Sequence, residues 1–238
     1  MLGKKPVIVG IVRGLSFRDA ERAKESGADL IELRIDLLRD EERDIERMKE
    51  FVSLLTVPII VTNRRKEEGG SFTGTEEERT AMLSSILETA EVDFVDFEFF
   101  SPPAGKKKLV EKAKSLHIPI IFSFHDFRGM PRRAELVKII ASMYEEGGSI
   151  AKIAVTPETL SDTLLLLNLT HELSREGKLV ATIGMGALGR HLRVIAPLYG
   201  SVLTYGVIEG EEEVAPGQFS VKELRSMLEK LGLKKSSS

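Results

Sequence analysis

The stretch SIAKIAVT, Ser149–Thr156, sets one lysine, Lys152, in the middle of an otherwise apolar, strand-like run. A strand sends alternate residues to opposite faces, so Ile150, Lys152 and Ala154 share one face and Ala151, Ile153 and Val155 the other. Lys152 must therefore point into something. A buried ammonium loses hydration and gives up its proton more readily, which turns lysine into a nucleophilic amine able to form a Schiff base with a carbonyl. A strand-edge lysine whose amine snorkels to water fits the same stretch.

Outward from Lys152, the rhythm of a short β-branched run followed by a helical pattern fills the chain. Pro6–Val12 leads into a helix from Ser16 to Gly27, Leu30–Asp36 into one that runs through Leu55, and Val57–Asn63 into a polar loop and a helix from Glu76. Phe94–Phe99, Ile118–Asp126 and Ser149–Thr156 precede helices that end near Leu116, Glu146 and Arg175. Lys178–Met185 and Ser201–Ile208 supply the last two strands, each with a helix after it. Eight strands alternating with eight helices predict a parallel sheet with crossover helices on its outside, an α/β fold, and eight such units are what a closed (β/α)8 TIM barrel requires. An open doubly wound sheet is the competing architecture. Against it, no GxGxxG turn follows the first strand, and GMGALG at Gly184–Gly189 has the wrong spacing and follows the seventh.

A chain of 238 residues, 42% hydrophobic, is long enough for one good core, which predicts a single catalytic domain over residues 1–233 and a disordered tail over 234–238. A formal net charge of −3 gives no reason to expect nucleic acid, and the lysines at 106–108 read as a solvated helix start. No apolar run reaches membrane-spanning length and the first residues lack a signal-peptide pattern, so the expectation is no membrane and a cytoplasmic location. Cysteine is absent, which excludes disulfides and thiolate metal sites, and no His or carboxylate spacing suits a metal, so none is predicted.

Strand parity locates the chemistry. In Leu30–Asp36 the apolar set Ile31, Leu33 and Ile35 suits the layer under the helices, which leaves Glu32, Arg34 and Asp36 inside. The same division puts Asp96 and Glu98 inside on the fourth strand, Ser123 and His125 on the fifth, Thr62 and Arg64 on the third and Lys152 on the sixth. Five consecutive strands thus carry polar residues on one face near their carboxyl ends, where barrel active sites are built. An internal ion-pair network is the structural reading of any single pair. For the whole set, a wet cavity that receives an anionic ligand explains more, with arginines as bidentate carboxylate clamps. His125 is placed as a proton shuttle beside the lysine; His117, His171 and His191 fall at a helix end, in a helix and after the glycine turn, where surface or packing roles fit. Two long loops, Glu67–Thr75 and Glu209–Gln218, follow strands and so lie at the catalytic face as candidate lids.

These residues fall within ordered motifs: ELRID at Glu32, TNRRKEEGG at Thr62, VDFEFF at Val95, SFHDF at Ser123, KIAV at Lys152, GMGALGRHLR at Gly184, YGS at Tyr199 and APGQ at Ala215. In this order they make the chain resemble type I 3-dehydroquinate dehydratase from about Ile8 to Gln218. The resemblance implies a (β/α)8 barrel with no cofactor or metal that takes 3-dehydroquinate, a shikimate-pathway intermediate, to 3-dehydroshikimate by syn elimination of water. It implies that Lys152 forms the imine, that His125 is general base and then general acid, and that Glu68 orients the histidine. It further implies a binding set of Glu32 and Arg34 for hydroxyls, Arg64, Arg193 for the substrate carboxylate, and Gln218 from a closing loop. Asp96 and Glu98 are expected to balance charge near Lys152. Many relatives are dimers, so a homodimer fits the resemblance, although the sequence holds no interface signal. Two departures stand out: Val214 occupies a position where many members have serine, and Leu192 replaces the serine usual before Arg193, which leaves Arg190 as the alternative clamp. The rival readings are a class I aldolase, which needs a phosphate site that the acidic Glu211–Glu213 run suits poorly, and a non-catalytic binding barrel.

Overall fold

Runs rich in β-branched and aromatic residues form the strands β1 (Val7–Val12), β2 (Leu30–Arg34), β3 (Ile59–Thr62), β4 (Phe94–Glu98), β5 (Ile120–Asp126), β6 (Ile150–Val155), β7 (Val180–Gly184) and β8 (Leu203–Val207). The computed structural model describes residues 5–89 and 91–233; the tail expected over 234–238 lies outside the described residues. The eight strands make one sheet in the order β7-β6-β5-β4-β3-β2-β1-β8, and every paired neighbour is parallel. The β7–β8 seam all but closes it: Val180 and Ser201 form a parallel bridge, and Val202 N donates to Val180 O at 2.8 Å. The architecture is the (β/α)8 barrel expected from the alternation.

The connections are α1 (Phe17–Glu25), α2 (Ile45–Leu54), α3 (Glu76–Thr89), α4 (Pro103–Ser115), α5 (Arg133–Glu145), α6 (Leu160–Arg175), the short α7 (Gly186–Gly189) and α8 (Leu192–Ile195), and α9 (Val221–Lys230). Side-chain caps start several of them: Ser16 accepts from Asp19 N, and Thr159 and Ser220 close capping boxes with Asp162 and Glu223. The helix expected after β7 is instead two four-residue helices and a 3-10 turn over Ala196–Tyr199. The glycines explain the break: a Cβ on Gly189 would meet the Gly184 carbonyl carbon at 2.6 Å, so the segment is drawn down onto the end of β7. Pro197 then interrupts any continuing helix.

Parity divides the core as the sequence predicts. Ile31, Leu33, Val95, Phe97, Ile120, Phe122, Ala151 and Ile153 pack under the helices, and each large side chain buried there is worth about 1.5–3 kcal/mol. Inside the barrel a smaller apolar cluster, with Val9, Leu30, Ile60, Ile121, Ile150 and Leu203, fills the floor. The next inward positions toward the carboxyl ends of β2, β4 and β6 are Glu32, Asp96 and Lys152, so the barrel changes from apolar to ionic part-way up its axis. Among the described residues no helix is long and apolar enough to cross a membrane.

Candidate active site

The ionic upper half of the barrel opens into a cavity of about 480 Å³, measured out to its solvent mouth. It is lined by Glu32, Arg34, Arg64, Glu68, His125, Lys152, Arg193 and Gln218, together with Ile11, Ala154, Ile183, Met185, Tyr205, Val214 and the Phe127 ring. All eight site residues expected from the sequence therefore share one cavity. His117, His171 and His191 are exposed and lie outside it.

On the side formed by β2, β3, β4 and β6, each charge has a partner. Arg34 grips Asp36 through Nε and one terminal nitrogen at 2.8 and 2.7 Å, and Asp36 also accepts from Arg64 N and Ser71 N. The Arg64 guanidinium lies 2.9 Å from Asp96, 2.8 Å from Glu98 and 4.0 Å from Glu32. Ser123 Oγ accepts from Arg64 and donates to Asp96 Oδ1, both at 2.6 Å. Lys152 Nζ donates to the other Asp96 oxygen at 2.8 Å and sits 3.8 Å from Glu32, which accepts from Thr62 Oγ1 at 2.8 Å. Burial alone would raise the Asp96 pKa, but Arg64 and Lys152 outweigh it and hold the carboxyl far below the usual range. Asp36 is likewise lowered, burial being outweighed by Arg34 and the backbone N–H groups.

Glu98 departs from expectation. It does not reach Lys152; its oxygens accept from Arg64 at 2.8 Å, from Arg65 N at 3.2 Å and from Arg79 at 2.8 Å. The strand parity is right: at the last residue of β4 one oxygen faces Arg64 in the inner network and the other meets Arg79 on α3. Arg79, not anticipated from sequence, is almost wholly buried there, with its guanidinium 4.7 Å from the Phe97 ring centroid and a bond to Asn63 O.

Glu68 and His125 form a dyad. Glu68 ends a 3-10 turn over Lys66–Glu68 that stops at Gly69, whose φ of 82° is left-handed and whose face packs on the Phe127 ring. This turn aims Glu68 Oε2 at His125, where it accepts from the backbone N at 2.9 Å and lies 3.0 Å from Nδ1. Phe127 stacks along the imidazole at 6.4 Å. Burial, Arg64 and Lys152 push the His125 pKa well below its ordinary value, so the ring is neutral at pH 7. Burial and the nearby Glu98 push Glu68 up to about 7, against the pull of Arg64 and the His125 N–H. Within the loop Glu67–Thr75, a candidate lid, Ser71 N bonds Asp36 and Phe72 is buried.

The β7–β8 side is different. Arg193, on α8, is 1% exposed, and among the described residues its guanidinium hydrogen-bonds only to Pro216 O, at 3.3 Å. Among the described residues it forms no ion pair, and its Nε is buried without a partner; burial lowers its pKa to about 10. Arg190 stacks on Phe219 at 4.2 Å and is not among the residues that line the cavity. The loop after β8 covers this side: Gln218 is buried, and its Oε1 accepts from Val214 N and Ala215 N at 2.7 and 3.0 Å. Val214 adds an apolar wall in place of a side-chain hydrogen bond. Tyr205, also unanticipated, lies on the inner face of β8 with its ring centroid 4.1 Å from Lys152 Nζ.

The assembled chemistry is a lysine amine, a neutral imidazole held by a carboxyl, and an unpaired guanidinium. A sequence model of the type I 3-dehydroquinase family matches residues 15–235. The 3-dehydroquinate dehydratase of Methanosarcina mazei is 40% identical over 97% of this chain and 96% of its own length. The crystal structure of 3-dehydroquinate dehydratase from Geobacillus kaustophilus HTA426 superposes with a TM-score of 0.87 at 30% identity, covering 97% of this chain and 92% of that one. The type I enzyme of Clostridium difficile, solved with covalently modified comenic acid, superposes at 0.86 with 29% identity, covering 97% and 94%. By sequence and by fold, the chain belongs to the type I 3-dehydroquinase family.

Proposed function

We propose that the chain dehydrates 3-dehydroquinate to 3-dehydroshikimate in the cytoplasm, through an imine on Lys152. The observation that carries this reading is one cavity holding Lys152, the His125–Glu68 dyad and the unpaired Arg193 in a member of the type I family. The covalent modification in the Clostridium difficile relative supports covalent chemistry in such a cavity.

Arg193 takes the substrate carboxylate, because a buried guanidinium without an anion is costly and a bidentate carboxylate satisfies it. Glu32 and Arg34 meet substrate hydroxyls at the opposite wall. Arg64 is saturated by carboxylates and so fixes Asp96 and Ser123 under Lys152. The amine, once its proton passes to His125, adds to the ketone and water leaves to give the iminium. That iminium draws electrons from the adjacent C–H bond; His125 removes the proton and returns it to the departing hydroxyl. Glu68 accepts from Nδ1–H and leaves Nε2 as the working nitrogen. Hydrolysis of the product imine restores Lys152. Asp96, held as an anion, balances the iminium charge throughout.

The test is a dehydratase assay that follows absorbance of the conjugated product. Turnover of 3-dehydroquinate supports the proposal; a folded chain with none contradicts it. A non-catalytic binding barrel predicts the second result.

A further inference from the structure

Tyr205 lines the cavity and carries a polar atom that the scheme above does not use. It is 3% exposed, and its Oη has no hydrogen-bond partner among the described residues. A buried hydroxyl left without a partner costs about 1–3 kcal/mol, and phenylalanine would supply the same ring without that cost. The ring centroid lies 4.1 Å from Lys152 Nζ, so any carbon bonded to that nitrogen lies within about 6 Å of the centroid. Burial, Glu32 and Asp96 push the phenol pKa well above its ordinary value, against Arg64, so the hydroxyl keeps its proton and donates. The carboxylates flanking Lys152 accept hydrogen bonds only, so they give nothing to a carbonyl oxygen.

We propose that Tyr205 Oη donates a hydrogen bond to the ketone oxygen of the substrate as Lys152 attacks, a role that rests on the reading of Lys152 as the imine-forming residue. In that step the amine lone pair forms the C–N bond and the C=O π pair moves onto oxygen. The nitrogen gives up a proton, the oxygen gains one by way of His125, and the carbinolamine oxygen later leaves as water. The phenol transfers no proton. It stabilises negative charge where that charge develops.

Tyr205→Phe keeps the ring beside Nζ and removes only the hydroxyl. In the full-length protein the initial rate of borohydride-trapped adduct formation from 3-dehydroquinate should fall about tenfold or more. The melting temperature should hold or rise, because a buried unpaired group is gone. Tyr205→Leu, which also removes the ring, should be slowed at least as much. Adduct formation in Tyr205→Phe within twofold of wild type overturns the proposal while leaving the reading of Lys152 standing. Absence of any adduct in the wild type overturns that reading and this proposal with it.

Discussion

The two sides of the cavity are built on opposite plans. Along β2, β3, β4 and β6, arginine, lysine and carboxylates satisfy one another at 2.6–2.9 Å. Along β7 and β8, Arg193 and Tyr205 are as deeply buried, yet each leaves a polar atom unpaired. A saturated network resists rearrangement and gives a ligand little to bind, whereas an unsatisfied buried donor gains most when a ligand supplies the acceptor. On the proposed function, the first side fixes the lysine and presents Glu32 and Arg34 to hydroxyls, and the second supplies the donors still free for the substrate carboxylate and ketone.

Substitutions that cross this division sharpen it. Lys152→Ala should lower turnover by at least about 10⁴-fold while circular dichroism and melting temperature stay near wild type, since Asp96 keeps Arg64 as partner. Arg64→Met and Arg193→Met should then part company. The first removes the buried cation shared by Glu98 and Asp96, leaving them only Arg79 and Lys152 as cationic partners, and should cost about 3–5 kcal/mol in denaturant unfolding. The second removes an unpaired cation and should leave stability unchanged or higher while raising KM about 10- to 100-fold.

The dyad supplies a pH test. Glu68 has its pKa pushed up to about 7, and below that its carboxyl loses the charge that strengthens its bond to His125 Nδ1–H. If His125 needs the carboxylate charge to act, kcat/KM should drop about tenfold per pH unit below pH 7, and Glu68→Gln should lower activity and abolish that limb. Stability follows the opposite sign: a carboxyl whose folded pKa lies above its unfolded value favours folding at low pH, and that benefit is lost as pH rises through about 7. Asp36 runs the other way, its lowered pKa adding stability above its ordinary range that is lost as pH falls through the folded value. Asp36→Asn should flatten that acid-side loss, read from melting temperatures across the range. The smallest effect belongs to Val214→Ser, which should change KM by no more than about threefold, because the Val214 backbone N–H, not its side chain, holds Gln218.

Much of this was legible in the chain because strand parity is a rigid rule. The alternation that set Glu32, Asp96, Ser123 and Lys152 apart from Ile31, Val95, Phe122 and Ile153 is the alternation that the barrel turns inward. What parity does not encode is depth or partner. Glu98 has the right face, but its partners, Arg64 from the loop after β3 and Arg79 from α3, are not set by its own strand. Arg79 follows Glu76 by one helical turn and bonds it, a spacing shared with any surface ion pair, so its burial against Phe97 has no local signature. Tyr205 shares its face with Leu203 and reads as core; only the lysine arriving from β6 gives its hydroxyl meaning. The broken helix after β7 was signalled by Gly184, Gly189 and Pro197, but the close approach of the two glycine backbones is a tertiary fact.

The central claim is that Lys152 is the residue that bonds to substrate. Sodium borohydride added to the wild-type protein with 3-dehydroquinate, followed by peptide mass mapping, tests it directly. The account predicts one reduced adduct, on the peptide that carries Lys152, and none in Lys152→Ala. Full dehydratase activity with no adduct, or an adduct on another lysine, would contradict it.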